Sequence, residues 1–223
     1  MEGLIEKLRR LNRKERYHLV GQALGNRDFR TSDAFRNAVG SATGLTIPAD
    51  AFVAMDYHLN WIHAAILVCG NPGQATFAHG IDVTTAGNQE DADLLIAFDE
   101  GPKTHLILVE AKAATGWTNK QMNSKARRLA GIFGESGTKI PEVQPHFVLA
   151  SPRPPRQLAL DGWPTWMKQD GSPSGTVRWL KLEMPSNFQQ VIRCDAAGLT
   201  GKTGTRWKIV DVAASAAALE AAV

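Results

Sequence analysis

Cysteine, tyrosine and long apolar runs are all scarce in this chain of 223 residues. The two cysteines, Cys69 and Cys194, give neither a disulfide framework nor a metal-ligand spacing. They read as buried thiols of a reducing cytoplasm. No apolar run approaches the ~18 residues of a membrane span, so a membrane is not expected among the partners. The opening MEGLIEKLRRLNRKER lacks the apolar core of a signal peptide. Zinc is disfavoured too, because His58 and His63 lie five apart and do not share a helix face. A net charge of only +3 permits nucleic-acid binding without demanding it.

What is present is the composition of an ordinary globular protein, 43% hydrophobic and 21% charged. The length suits one domain over 1–223. It divides into a helical N-terminal part (1–70), a core (71–150) and C-terminal strands with a tail (151–223). Leu4, Leu8 and Leu11 recur at helical spacing. A second helix is expected from Arg13 to Leu24, with Asn12 and Glu15 in capping-box form. Ser32 and Asp33 open a third, which Gly40 ends. Pro48 and Asp50 introduce a fourth helix to about Val68, striped by Phe52, Met55, Leu59, Ile62 and Ile66. Asp56, Asn60 and His63 flank that stripe. A first strand is expected over 74–83 and a polar connection over 84–90.

The informative stretch runs from Asp91 to Gln121. Apolar runs Leu94–Phe98 and His105–Val109 are separated by Asp99, Glu100, Gly101 and Pro102, a strong turn signal. Side chains alternate along a strand, so Glu110 and Lys112 share a face and Ala111 points away. If the two runs pair, Asp93 approaches Glu110. Two carboxylates and an ammonium then converge at one sheet edge, an arrangement suited to a hard divalent cation, Mg²⁺ or Mn²⁺. Asp93, Glu110 and the main-chain carbonyl of Ala111 are the candidate metal ligands. Lys112 would place positive charge where a phosphate gains negative charge in the transition state. Glu90 and Asp91 also precede the strand and compete with Asp93. The plainer reading is a solvated Glu–Lys pair at a strand end.

At these residues the chain resembles the PD-(D/E)XK superfamily of restriction-endonuclease-like nucleases. Asp93 stands before one strand, Glu110–Ala111–Lys112 closes the next, and a basic helix follows. The resemblance spans residues 76 to 150, with Ala92 in place of the name-giving proline. It implies that Asp93 and Glu110 are metal ligands and Lys112 the catalytic lysine. Gln121 resembles the glutamine of the exonuclease branch, although Lys125 stands where that branch has tyrosine. Members often carry one more acid on the helix before the sheet, and Glu15 and Asp56 are the two candidates. Helix capping explains Glu15, and a solvated polar face explains Asp56, at least as well.

Thr118 is a good N-cap for a helix to Phe133, closed by Gly134. Its buried stripe is Met122, Ala126, Leu129 and Phe133. Gln121, Lys125 and Arg128 form a second stripe, with Lys120 and Arg127 nearby. The cations read as a phosphate-contacting face, and Trp117 beside them as a base-stacking candidate. An ordinary solvated face is the competing reading. Further strands are expected over Val143–Ala150, Val177–Met184 and Trp207–Val212, and a short helix within Leu158–Lys168. GLTGKT (198–203) echoes a phosphate-binding loop, but Ala196 replaces the required glycine. A hairpin turn explains it better. The Ala-rich tail from Ala213 either forms a helix or frays.

The expected fold is α/β, a restriction-endonuclease-like central mixed sheet flanked by helices with a helical N-terminal elaboration. The expected function is Mg²⁺-dependent hydrolysis of nucleic-acid phosphodiesters, DNA before RNA, in the cytoplasm, with a homodimer left open. Two alternatives stand beside it. One is a non-cleaving nucleic-acid-binding or interaction domain on the same fold. The other is an unrelated α/β enzyme acting on a small molecule.

Overall fold

The turn at Asp99–Pro102 folds the middle of the chain into a hairpin. β2 (Asp91–Glu100) and β3 (Lys103–Ala111) pair antiparallel, with Glu100 opposite Lys103. Gly101 takes a φ of 58° in the turn, a conformation glycine adopts without steric cost. The structure, a computed structural model, describes residues 3–71, 73–74, 76, 90–113, 117–169, 171, 175–185 and 187–211.

Five strands form one mixed sheet in the order β1-β2-β3-β4-β5. β1 (Phe52–His58) runs antiparallel to β2. β4 (Val143–Ser151) runs parallel to β3, and β5 (Arg178–Lys181) parallel to β4. Parallel neighbours need a long crossover, and α5 (Asn119–Phe133) lies within the β3-to-β4 connection. Thr118 caps α5 by accepting the Gln121 N–H at 3.4 Å, and Gly134 closes it.

Both sheet faces are covered. Leu95, Ala97, Leu106, Leu108, Phe147 and Leu149 pack on one side with α1 (Leu4–Leu11), α4 (Leu59–Gly70) and α5. Ile96, Phe98, Ile107, Val109 and Val148 pack on the other with Val39 of α3 (Asp33–Thr43). The chain's only two tyrosines join the N-terminal helices to β1. The Tyr57 hydroxyl donates to the Leu8 carbonyl at 2.7 Å. Tyr17, on α2 (Glu15–Ala23), donates to that of Val53 at 2.9 Å. A separate two-stranded ribbon is built from β6 (Gln189–Cys194) and β7 (Arg206–Asp211).

Several expectations are corrected. The helix expected from Asp50 to Val68 is a strand followed by a helix, so the N-terminal part contributes β1 to the main sheet. α3 passes through Gly40 and ends at Gly44, which is left-handed with φ 74°. Gly40 serves close approach instead: a Cβ there would lie 2.5 Å from the Leu45 carbonyl oxygen. Asn12 caps no helix by its side chain; it accepts the Lys14 N–H at 3.3 Å, and α2 begins at Glu15. The helix expected within 158–168 is one 3-10 turn, Thr165–Met167. β6 has no counterpart among the expected strands. The strand expected over 74–83, the connection over 84–89 and the tail from 213 lie outside the described residues, apart from 74 and 76.

Candidate functional site

The β2–β3 register ends where the chemistry begins. Its last backbone pair is Leu94 with Val109. One step further, the Asp93 side chain replaces the ladder: its Oδ2 accepts the Ala111 N–H at 2.6 Å. A residue's N–H and C=O project to the same side of an extended strand. The Ala111 carbonyl is therefore turned toward β2 and Asp93 as well. Lys112 is turned the other way along the backbone, its N–H donating to the Ala150 carbonyl at 2.9 Å.

Glu110 follows Leu106 and Leu108 on the face that α5 covers, and it is almost fully buried. Burial pushes its carboxyl above the ordinary glutamate range; the Lys125 ammonium pulls it back, and the charge of Asp93 pushes it up again. Lys112 adds a smaller downward pull. The structure thus brings Asp93 and Lys112 within electrostatic reach of Glu110. Lys112 makes no salt bridge among the described residues. Its ammonium lies 5.8 Å from the centre of the Trp117 ring, a cation–π contact.

α5 supplies the next layer, and here a correction is needed. The sequence assigns Lys125 and Arg128 to a phosphate-contacting surface, yet both are buried. Lys125 forms an ion pair with Glu110 and donates to the Asp91 carbonyl at 2.6 Å. Arg128 lies 3.7 Å from the Glu90 carboxylate, to which Ser124 also donates at 2.7 Å. The face is cationic because acids face it across the interior. Lys120, Gln121 and Arg127 remain exposed on the same helix, and no contact joins Gln121 to the carboxylates among the described residues. Trp117 is half-buried, packed against the core.

Asp56 and Glu15 separate clearly. The β1–β2 register pairs Met55 with Leu94 and Tyr57 with Ala92, which sets Asp56 across from Asp93 with the ladder interrupted between them. Asp56 is left-handed, φ 52°, and pairs with Arg16 at 2.9 Å. Ala54 and Tyr57 consequently face the same core, as do Leu95 and Ala92. Such irregularities re-aim side chains at strand ends and cluster at functional sites. Glu15 is exposed on α2 and makes no contact with the cluster among the described residues.

Two participants escaped sequence reasoning. Asp91 pairs with His58, opposite it in the register, and with Lys14 at 3.0 Å. These partners lie 33 and 77 residues away, and no local spacing announces them. The fit to a metal rests on the donor set. Asp93 and Glu110 each spend one oxygen internally and keep the other without a hydrogen bond among the described residues. Among those residues, no cluster of three or more His, Cys, Asp or Glu is placed to hold an ion. Two carboxylates suit a hard cation that keeps waters, as Mg²⁺ does, and not one requiring a full protein cage.

Elsewhere, a hollow is walled chiefly by charged groups, Arg9, Asp28, Arg30 and Asp50. It is unlike the apolar cleft of most small-molecule sites. Among the described residues, no helix is long and apolar enough to cross a membrane. Comparison with protein-family models, curated proteins and solved structures gives no match.

Proposed function

We propose that the protein is a metal-dependent nuclease that hydrolyses phosphodiester bonds, with DNA the favoured substrate. One observation carries this reading: at adjoining strand ends Asp93, which accepts the Ala111 N–H, and Lys112 both act electrostatically on the buried Glu110 carboxyl. The mixed sheet flanked by helices is the architecture that the PD-(D/E)XK resemblance implies, and it supports the reading at that coarser level.

Asp93, Glu110 and the Ala111 carbonyl would hold Mg²⁺ or Mn²⁺. Such an ion supplies Lewis acidity at a phosphoryl oxygen and a bound water of lowered pKa. Lys112 provides an ammonium not committed to any carboxylate salt bridge among the described residues, placed for the charge that grows on the phosphate. Trp117 steadies that ammonium through its ring face. Lys125 pulls the buried Glu110 carboxyl toward its ionised form, against the larger upward push of burial. Phosphodiester cleavage needs positioning and charge stabilisation above all, so this set is chemically sufficient.

A second reading, a domain that binds nucleic acid or a partner without cleaving, draws on a specific observation. The Lys125 ammonium already neutralises Glu110. Supercoiled plasmid with Mg²⁺ or Mn²⁺ separates the two. The nuclease reading expects cleavage that falls at least about 100-fold in Lys112→Ala and in Asp93→Asn. The Asp93→Asn side chain still offers an oxygen to the Ala111 N–H, so the melting temperature of that variant should stay near that of the wild type. Cleavage surviving both substitutions, or absent from the purified wild type, refutes it.

A further inference from the structure

The β6–β7 ribbon carries apolar residues on its exposed face as well as on its covered one. Its register pairs Gln189 with Asp211, Val191 with Ile209 and Arg193 with Trp207, and all six are exposed. The opposite face, Gln190, Ile192, Cys194, Lys208 and Val210, is half-buried or buried, except that Arg206, paired with Cys194 at the ribbon's end, is exposed. Val191, Trp207 and Ile209 are 62%, 64% and 67% exposed, and Leu199 in the connecting loop is 70% exposed. Single exposed apolar residues need no explanation, but a contiguous patch marks an interaction surface.

Charge indicates the occupant. Arg193, Lys202 and Arg206 are exposed on the ribbon and its loop, and none forms an ion pair among the described residues. The two acids are engaged locally. Asp195 accepts the Ala197 and Leu199 N–H groups at 2.9 Å each, and Asp211 accepts from Gln189 at 2.8 Å. The Arg193 guanidinium lies 5.1 Å from the centre of the Trp207 ring. The outward face therefore carries Arg193 over an aromatic plate with aliphatic flanks, and Lys202 in the loop and Arg206 at the ribbon's end add positive charge at its rim. A second copy docking the same face on itself would set these cations against each other.

We propose that this ribbon is a duplex-DNA-binding arm, its exposed face entering the major groove. A two-stranded ribbon fits that groove in width. Arg193 would contact phosphates or base edges and Arg206, at the rim of the ribbon, a flanking phosphate, while Trp207, Val191 and Ile209 cover sugars and thymine methyl groups. The inference rests on the nuclease reading for its choice of polyanion, and it names the surface that holds the substrate of the Asp93–Glu110 site.

The test uses the full-length protein in EDTA and a fluorescein-labelled 20-base-pair duplex followed by anisotropy over a salt series. Trp207→Ala should weaken binding about 5- to 100-fold. Arg193→Ala/Arg206→Ala should lower the slope of log K against log salt by about 2. Val191→Ser/Ile209→Ser, which spares every charge, should also weaken binding, and circular dichroism checks that each variant folds. Wild-type affinity and salt slope in all three variants overturn the proposal. So does a wild type that ignores the duplex but binds phosphatidylglycerol vesicles, or a dimer that Trp207→Ala disperses without affecting DNA. Plasmid cleavage by the same variants keeps the two ideas apart. Cleavage with unaltered binding removes the arm alone, whereas ribbon-dependent binding without any cleavage removes the nuclease alone.

Discussion

Replacing Lys125 by methionine keeps most of the side chain's length and removes only its ammonium. In the folded protein that ammonium is the cation paired with Glu110, and both residues are buried, 4% and 2% exposed. The variant leaves a carboxylate in a dry setting that also feels Asp93. Breaking a buried pair from one side costs about 3–5 kcal/mol, because the remaining charge has no compensation. With a urea dependence of about 2 kcal/mol per molar, the unfolding midpoint should fall by about 1.5–2.5 M. The pH dependence is more telling. Burial raises the Glu110 carboxyl above 4.5 in the folded state, and losing Lys125 raises it further. Below 4.5 the group is protonated in both folded and unfolded chains. Above that value the unfolded chain releases the proton first, so stability falls with rising pH until the folded group also ionises. Wild type levels off earlier than the variant. The deficit of Lys125→Met should therefore be small near pH 4.5 and widen toward pH 8. Adding Glu110→Gln should recover most of it. Urea melts followed by tryptophan fluorescence at both pH values decide the matter. An equal deficit at pH 4.5 and 8, or none at 8, would mean that the pair does not govern this site.

Two further predictions concern the scaffold. His146 is held down to about 4 by burial, by His105 at 3.0 Å and by Arg178. The unfolded chain takes up this proton near 6.5 and the folded chain does not, so stability should drop as pH falls from 6.5 to 4. His146→Gln should flatten that part of a pH–stability curve measured by urea unfolding; an unchanged slope would count against the assignment. Gly40→Ala would put a methyl 2.5 Å from a backbone oxygen that cannot move freely. Strain of about 1–3 kcal/mol should lower the melting temperature by roughly 2–12 °C in a scanning-fluorimetry trace, and an unshifted melt would show that the α3-to-Leu45 turn has slack.

The hairpin around Asp99–Pro102 and the Thr118 cap were both legible, because each depends on neighbours within a few residues. Residues 52–68 were not. Phe52, Val53 and Ala54 are all buried because β1 is covered on both faces, so the strand shows no alternation. Left-handed Asp56 then shifts the face, leaving apolar positions at intervals of three and four that imitate one long helix. β6 was hidden for the opposite reason. Its outward face mixes Gln189, Val191 and Arg193, which obeys neither a core pattern nor a solvent pattern.

The basic face of α5 is the most instructive miss, since the spacing of Lys125 and Arg128 is legible and its direction is not. Helical period says which residues travel together; it does not say whether they face water or acid. Direction depends on where the compensating charge lies, and Glu90, Asp91 and Glu110 are all within 38 residues of Arg128 in sequence. An acid-rich strand start followed by a basic helix, joined across a parallel crossover, places the helix over the strand's buried face. A cation stripe there can neutralise acids internally at no cost in exposed surface. Lys120 and Arg127, displaced around the helix from that stripe, are the ones left to solvent. Lys120 and Arg127 are thus the exposed cations of α5, while Lys125 and Arg128 face the Glu110 and Glu90 carboxylates beneath.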